Sequence, residues 1–103
     1  MEETALWLSH RFFVRPHDQA DCDAVAGVYV FCGLNRQNQW HAYYIGKTGD
    51  LSSRLTDHPR WKEAARLGAT HIHVLLVSEE TERDSLESAL IAKYQPPLND
   101  QGK

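Results

Sequence analysis

What the chain lacks narrows it first. No apolar run approaches the roughly 20 residues of a membrane span. Met1–Val14 carries acids where a signal peptide carries bases, so no membrane partner is expected. Only two cysteines occur, Cys22 and Cys32, without the spacing of a zinc clip or a redox pair. A disulfide-held secreted scaffold is thereby excluded, and a reduced, cytoplasmic protein is expected. There is no internal repeat and no low-complexity tract, which excludes repeat arrays. At 103 residues the chain builds one core and not two.

Positive charge is also scarce. Eleven Lys and Arg stand against 14 Asp and Glu, a net charge of −3. Taken whole, that opposes nucleic-acid binding, because phosphate contacts need positive surface. The distribution along the chain points the other way. Residues 1–26 hold five acids and two bases, residues 27–78 six bases and three acids, and residues 79–103 six acids and three bases. The segments therefore carry −3, +3 and −3, and the basic one holds the motifs described next.

In the first segment, Leu6-Trp7-Leu8 and Phe12-Phe13-Val14 are apolar enough to pack, and Pro16 ends any regular element. Residues 1–26 are expected to form an N-terminal extension, a short helix or strand covering one side of the core. His17–Asp23 reads as an acidic loop. Residues 27–103 form the main domain. Ala26–Cys32 is β-branched and aromatic and reads as a strand, with Tyr29 and Phe31 on one face and Val28 and Val30 on the other. Gly33–Gln39 is a polar tip, and Trp40–Thr48 returns as the partner of an antiparallel hairpin.

Asp50 is a good N-cap for a short helix with Leu51 and Leu55 on one stripe and Arg54 and His58 on the next. Pro59 suits the first turn of a second helix through Trp61, Ala65 and Leu67, closed by Gly68. Thr70–Ser78 is apolar on both faces and predicts a central strand covered on both sides. A last helix runs from Glu80 to Tyr94 and stops at Pro96-Pro97, with Thr81 and Asp84 as a capping box. The order β-β-α-α-β-α predicts an α/β (α+β) domain, a small sheet with helices packed on it.

That last helix holds an anomaly. With Leu86 at zero and about 100° per residue, Leu90 falls near ~40°, Tyr94 near ~80° and Ile91 near ~140°. Glu87, near ~100°, lies inside this apolar arc, while Asp84, Ser88, Ala92 and Gln95 take the opposite side. A carboxylate there is costly unless a cation, a metal or hydrogen bonds hold it. An exposed pair with Arg83 one turn earlier is the bland alternative.

Gly27-Val28-Tyr29, Tyr44-Ile45-Gly46, Arg54, His58, Glu87 and the Asn99 that follows Pro96-Pro97-Leu98 together resemble the GIY-YIG nuclease family, over Gly27 to Asn99. The resemblance implies a three-stranded antiparallel sheet flanked by helices. It implies hydrolysis of DNA phosphodiesters with one divalent ion, Mg²⁺ or Mn²⁺; RNA is the open alternative. It assigns catalytic roles to Tyr29, Tyr44, Arg54, His58 and Glu87, with Glu87 as the metal ligand. Gly46, Lys47 and Asn99 would contact substrate. Fourteen residues separate Tyr29 from Tyr44, more than in typical members, so an enlarged hairpin tip is expected. The separate DNA-binding module that many members carry has no counterpart in these residues.

Such chemistry needs an activated water, a clamp on developing phosphate charge and help for the leaving oxygen. Glu87 suits a hard cation and Arg54 supplies a planar fork for phosphate. Tyr29 would activate the water, Tyr44 would donate to a phosphate oxygen, and His58 would orient Tyr29 or shuttle its proton. A free phenol titrates near ~10, so Tyr29 needs positive charge nearby, and Lys47 and the metal are the candidates. Two weaker constellations remain. His71-x-His73 has the geometry of a zinc pair but lacks a third ligand. Cys32 near His41 would suit a thiol nucleophile, though a small buried hydrophobe is the simpler reading. The rival function is a GIY-YIG-fold module of weak or no activity that docks nucleic acid or a protein.

Overall fold

The computed structural model describes residues 3–17, 23–55 and 58–99. Its centre is a hairpin. Strands β3 (Gly27–Leu34) and β4 (Trp40–Thr48) pair antiparallel, with Tyr29 opposite Gly46 and Phe31 opposite Tyr44. The pairing continues past a bulge at Phe31/Cys32 to Leu34 opposite Trp40. The long spacing between the two tyrosines is thus absorbed mostly by longer strands. The tip itself is only residues 35–39, where the Asn35 side-chain oxygen accepts from the Gln37 and Gln39 amides.

Helices α1 (Leu51–Leu55) and α2 (Trp61–Leu67) follow, then strand β5 (His71–Leu76) and helix α3 (Glu80–Tyr94). Asp50 caps α1 through its carboxylate to the Ser53 amide. Glu79, not Thr81, caps α3, accepting from the Glu82 amide, because the helix begins at Glu80. The chain leaves α3 through Gln95 in a left-handed conformation just before the prolines.

The sheet has five strands rather than the three that the family resemblance implies. Residues 4–16 form a second hairpin, β1 (Thr4–Trp7) and β2 (His10–Pro16), and the sheet order is β1-β2-β5-β3-β4, all antiparallel. The hairpin escapes sequence reading because its turn lacks the usual Asn-Gly. Leu8 and Ser9 both take positive φ, 50° and 66°, as a tight two-residue turn requires. β5 is the central strand, as its two apolar faces predict, although Leu76 at its end is exposed. The acidic loop falls largely outside the described residues.

Two apolar layers flank the sheet. Trp7, Phe12, Val28, Val30, Cys32, Ile45 and Leu90 form one, with Leu86, Ile91 and Tyr94 of α3 packed on it. Tyr29, Phe31, Leu51, Leu55, Ala64, Ile72 and Val74 form the other, beneath α1 and α2. The alternation of β3 therefore sends its valines to α3 and its aromatic residues to the α1–α2 side. Fully burying each large side chain stabilises the fold by about 1.5–3 kcal/mol.

Candidate active site

The site grows from Tyr29. Its position on β3 aims the ring across Gly46 on the neighbouring strand. A Cβ at Gly46 would collide with the Tyr29 ring and hydroxyl, so the glycine makes room for the tyrosine itself. Gly27 has a parallel reason: a Cβ there would collide with the Leu75 carbonyl and with Leu51 at the start of α1.

Tyr29 Oη lies 2.8 Å from His58 Nε2 and 3.4 Å from Arg54 Nε. The His58 tautomer follows from its other nitrogen. Nδ1 accepts from the Arg60 backbone N–H at 3.0 Å and so carries no proton. The imidazole is neutral, since burial, with Arg54 and Arg60 nearby, lowers its pKa to about 4. Its proton therefore sits on Nε2 and is donated to Tyr29. The phenol oxygen accepts from two fixed donors, and its own hydrogen must point elsewhere.

Burial pushes the Tyr29 phenol up to about 12, the Arg54 hydrogen bond pulling against it. The neighbouring Tyr44 and Glu87 side chains add to the rise. Tyr44 stands beside the same cluster, its ring 6.3 Å from that of Tyr29 and 5.4 Å from the His58 imidazole. Phe31 closes the floor, edge-on to His58 at 4.9 Å and to Trp61 at 5.1 Å.

Glu87 projects from α3 with its side chain 20% exposed, at the rim of the apolar arc. Arg83 does not pair with it among the described residues; its guanidinium donates to the Val77 and Ser78 carbonyls. The partner of Glu87 is Lys47, whose ammonium lies 3.5 Å from Glu87 Oε1 and 3.3 Å from Asp84 Oδ1. Lys47 follows Gly46 on β4 and so points to the α3 face, away from Tyr29. It is not the positive charge that the Tyr29 phenol needs. That charge comes from Arg54 within the protein. Sequence reading missed Asp84 by grouping it with the solvent-facing residues, although at about 160° on the same wheel it borders Ile91; the course of β4 brings Lys47 there.

Asn99 is turned to structure. Its Oδ1 accepts from the Ile45 amide at 2.6 Å and its Nδ2 donates to the Ile45 carbonyl at 2.8 Å. The amide prolongs the sheet beyond β4 and fixes the segment after α3, a structural role beside the substrate contact expected of it. The weaker constellations also resolve. His73 is fully buried, its Nδ1 accepting from the Trp7 indole N–H at 3.0 Å, and no cluster of three or more His, Cys, Asp or Glu occurs among the described residues. Cys32 is buried and its thiol pushed well up by burial, the reverse of a nucleophile.

Glu87 could hold a metal: its carboxylate is partly exposed at the α3 rim, and its charge is matched by a cation, the Lys47 ammonium. A cavity of about 940 Å³ between α3, β5 and the β1–β2 turn touches none of these groups. Tyr29 and His58 are themselves buried, and Arg54, exposed, and Tyr44, partly exposed, carry the cluster to an open surface, which suits a polymer better than a small molecule.

Fold and site together define a small α+β domain of the GIY-YIG type. The N-terminal GIY-YIG endonuclease domain of UvrC from Thermotoga maritima, solved as a point mutant bound to its catalytic divalent cation, superposes with a TM-score of 0.60 at 34% identity, over 77% of this chain and 87% of that one. This chain belongs to the GIY-YIG endonuclease family. The same domain bound to magnesium matches at 33% identity and a TM-score of 0.60, over 75% of this chain and 85% of that one. Among curated proteins, UvrABC system protein C of Chlamydia trachomatis is 35% identical over 86 residues, and that of Thermotoga maritima 36% over 77 residues. These alignments cover 77% and 71% of this chain but only 14% and 13% of the relatives' length. No family model matches the chain. No described helix is long and apolar enough to cross a membrane.

Proposed function

We propose that the chain is a divalent-metal-dependent DNA endonuclease that hydrolyses phosphodiester bonds at the Tyr29 cluster. The observation that carries it is the Tyr29 oxygen held by two N–H donors, His58 Nε2 and Arg54 Nε. Two donors converging on the oxygen stabilise the phenolate, the form that takes a proton from water.

Tyr29 accepts the proton of the attacking water. His58 holds the phenol oxygen in place and keeps donating as charge develops there. Arg54 sits where its remaining guanidinium donors reach a phosphate oxygen while Nε stays on Tyr29. Tyr44 offers its hydroxyl to the same phosphate. Glu87 would hold Mg²⁺ or Mn²⁺, which supplies charge neutralisation at the phosphate and the leaving oxygen. The magnesium-bound and cation-bound UvrC domains support that choice of ion.

The test is to incubate supercoiled plasmid and single-stranded DNA with the protein and Mg²⁺ or Mn²⁺, beside Glu87→Ala and Tyr29→Phe. Cleavage by the native protein alone is expected, with both variants folded and at least a hundredfold slower. Glu87→Ala cutting at the native rate would end the metal-ligand role. A phenol held near 12 favours one rival, a DNA-binding module of little activity. DNA bound by the native protein but never cut would decide for it.

A further inference from the structure

The Lys47 ammonium lies between two carboxylates one helical turn apart on α3, 3.3 Å from Asp84 and 3.5 Å from Glu87. Lys47 is therefore a fixed positive charge against the one carboxylate proposed to hold a divalent ion. A divalent cation at Glu87 would stand a few ångströms from that ammonium. Two like charges so close repel by an amount comparable to the whole gain of one surface carboxylate–metal contact.

We propose that Lys47 is the resident counter-cation of Glu87, and that a divalent ion binds by displacing it onto Asp84. In the metal-free protein Lys47 neutralises Glu87 and keeps its carboxylate extended over the β4 edge. When the ion arrives, Asp84 retains the ammonium, so the lysine changes partner without losing one. Asp84 thus acts through Lys47, as a positioning residue that lowers the cost of metal entry. Free divalent ion then binds weakly by construction, and the site loads best when substrate phosphate adds ligands and negative charge. The inference rests on Glu87 being the metal carboxylate.

The experiment is Mn²⁺ binding to the full chain without DNA, read as free Mn²⁺ by electron paramagnetic resonance. Native protein is compared with Lys47→Met, Lys47→Arg, Asp84→Asn, the double variant Lys47→Met with Asp84→Asn, and Glu87→Gln. Lys47→Met is expected to bind about five- to tenfold more tightly, and Lys47→Arg as weakly as native. Asp84→Asn is expected to weaken binding severalfold alone, and to have no such effect once Lys47 is methionine. Lys47→Met binding no more tightly than native, with Glu87→Gln inert, would overturn the displacement and leave the metal carboxylate standing. Asp84→Asn weakening binding equally in both backgrounds would also overturn it, since Asp84 would then act on the ion directly. Glu87→Gln binding Mn²⁺ like native would remove the metal carboxylate and the displacement together. All these side chains are at least partly exposed, so the fold survives each change.

Discussion

As the proposed base, Tyr29 would need its proton removed, yet its surroundings hold that proton on. Burial raises the phenol to about 12, and Arg54 recovers only part of the loss. At neutral pH the free protein has almost no phenolate, so the proposed cleavage is expected to climb as hydroxide rises. The single-turnover rate is expected to increase about tenfold per pH unit between pH 6 and 8.5, measured with saturating Mn²⁺. A flat profile would take Tyr29 out of the rate-limiting proton transfer. His58, lowered to about 4, stays neutral over that range and contributes no inflection of its own. Gly46 belongs to the same scale. Gly46→Ala would drive a methyl into the Tyr29 ring, and a loss of about 1–3 kcal/mol in urea unfolding is expected, together with displacement of the hydroxyl from His58.

The β1–β2 hairpin shows how an element is held when its turn chemistry is poor. Leu8 and Ser9 occupy left-handed backbone that costs L-residues roughly 1–2 kcal/mol each. Tertiary contacts offset this. The Leu8 amide donates to the Tyr94 hydroxyl at 2.9 Å, and the Trp7 ring stands edge-on to Tyr94 at 5.0 Å with its N–H on His73. The hairpin is thereby anchored to the end of α3 and to the central strand. Ser9→Gly is expected to stabilise the protein by about 1 kcal/mol, seen as a higher urea midpoint at unchanged slope. A lower midpoint would mean that the Ser9 side chain makes an essential contact.

At the scale of the whole molecule, two buried imidazoles set the acid limit. Burial lowers His73 to about 3, with His71 adding to the effect, and lowers His58 to about 4. Both folded-state values lie below the ordinary 6.5 of the unfolded chain, so unfolding takes up protons. Their stabilising contribution is complete above about pH 6.5 and is lost as pH falls through 4 toward 3. Thermal unfolding between pH 7.5 and 4 is expected to show a melting temperature steady above 6.5 and falling steeply below. His73→Leu should flatten the acid side. It would also cost about 1–3 kcal/mol at neutral pH by stranding the Trp7 N–H. A melting temperature unchanged down to pH 4 would contradict the neutral assignment of both rings.

The sequence by itself determined the β3–β4 pairing, the two-faced β5, the extent of α3 and the place of Glu87 on its apolar edge. Each rests on a short periodic pattern: alternation in the strands and a 3.6-residue repeat in the helix, both local consequences of backbone geometry. What no local pattern contains is a partner supplied by another element. Only the tertiary structure turned Lys47 away from Tyr29 toward Asp84 and Glu87, because strand alternation fixes its face while the packing of α3 fixes what waits there. It also bound Asn99 to Ile45, gave His58 its tautomer through the Arg60 amide, and drew residues 4–16 into the sheet. Those contacts join residues far apart in the chain or depend on backbone groups, which carry no signature in the order of side chains.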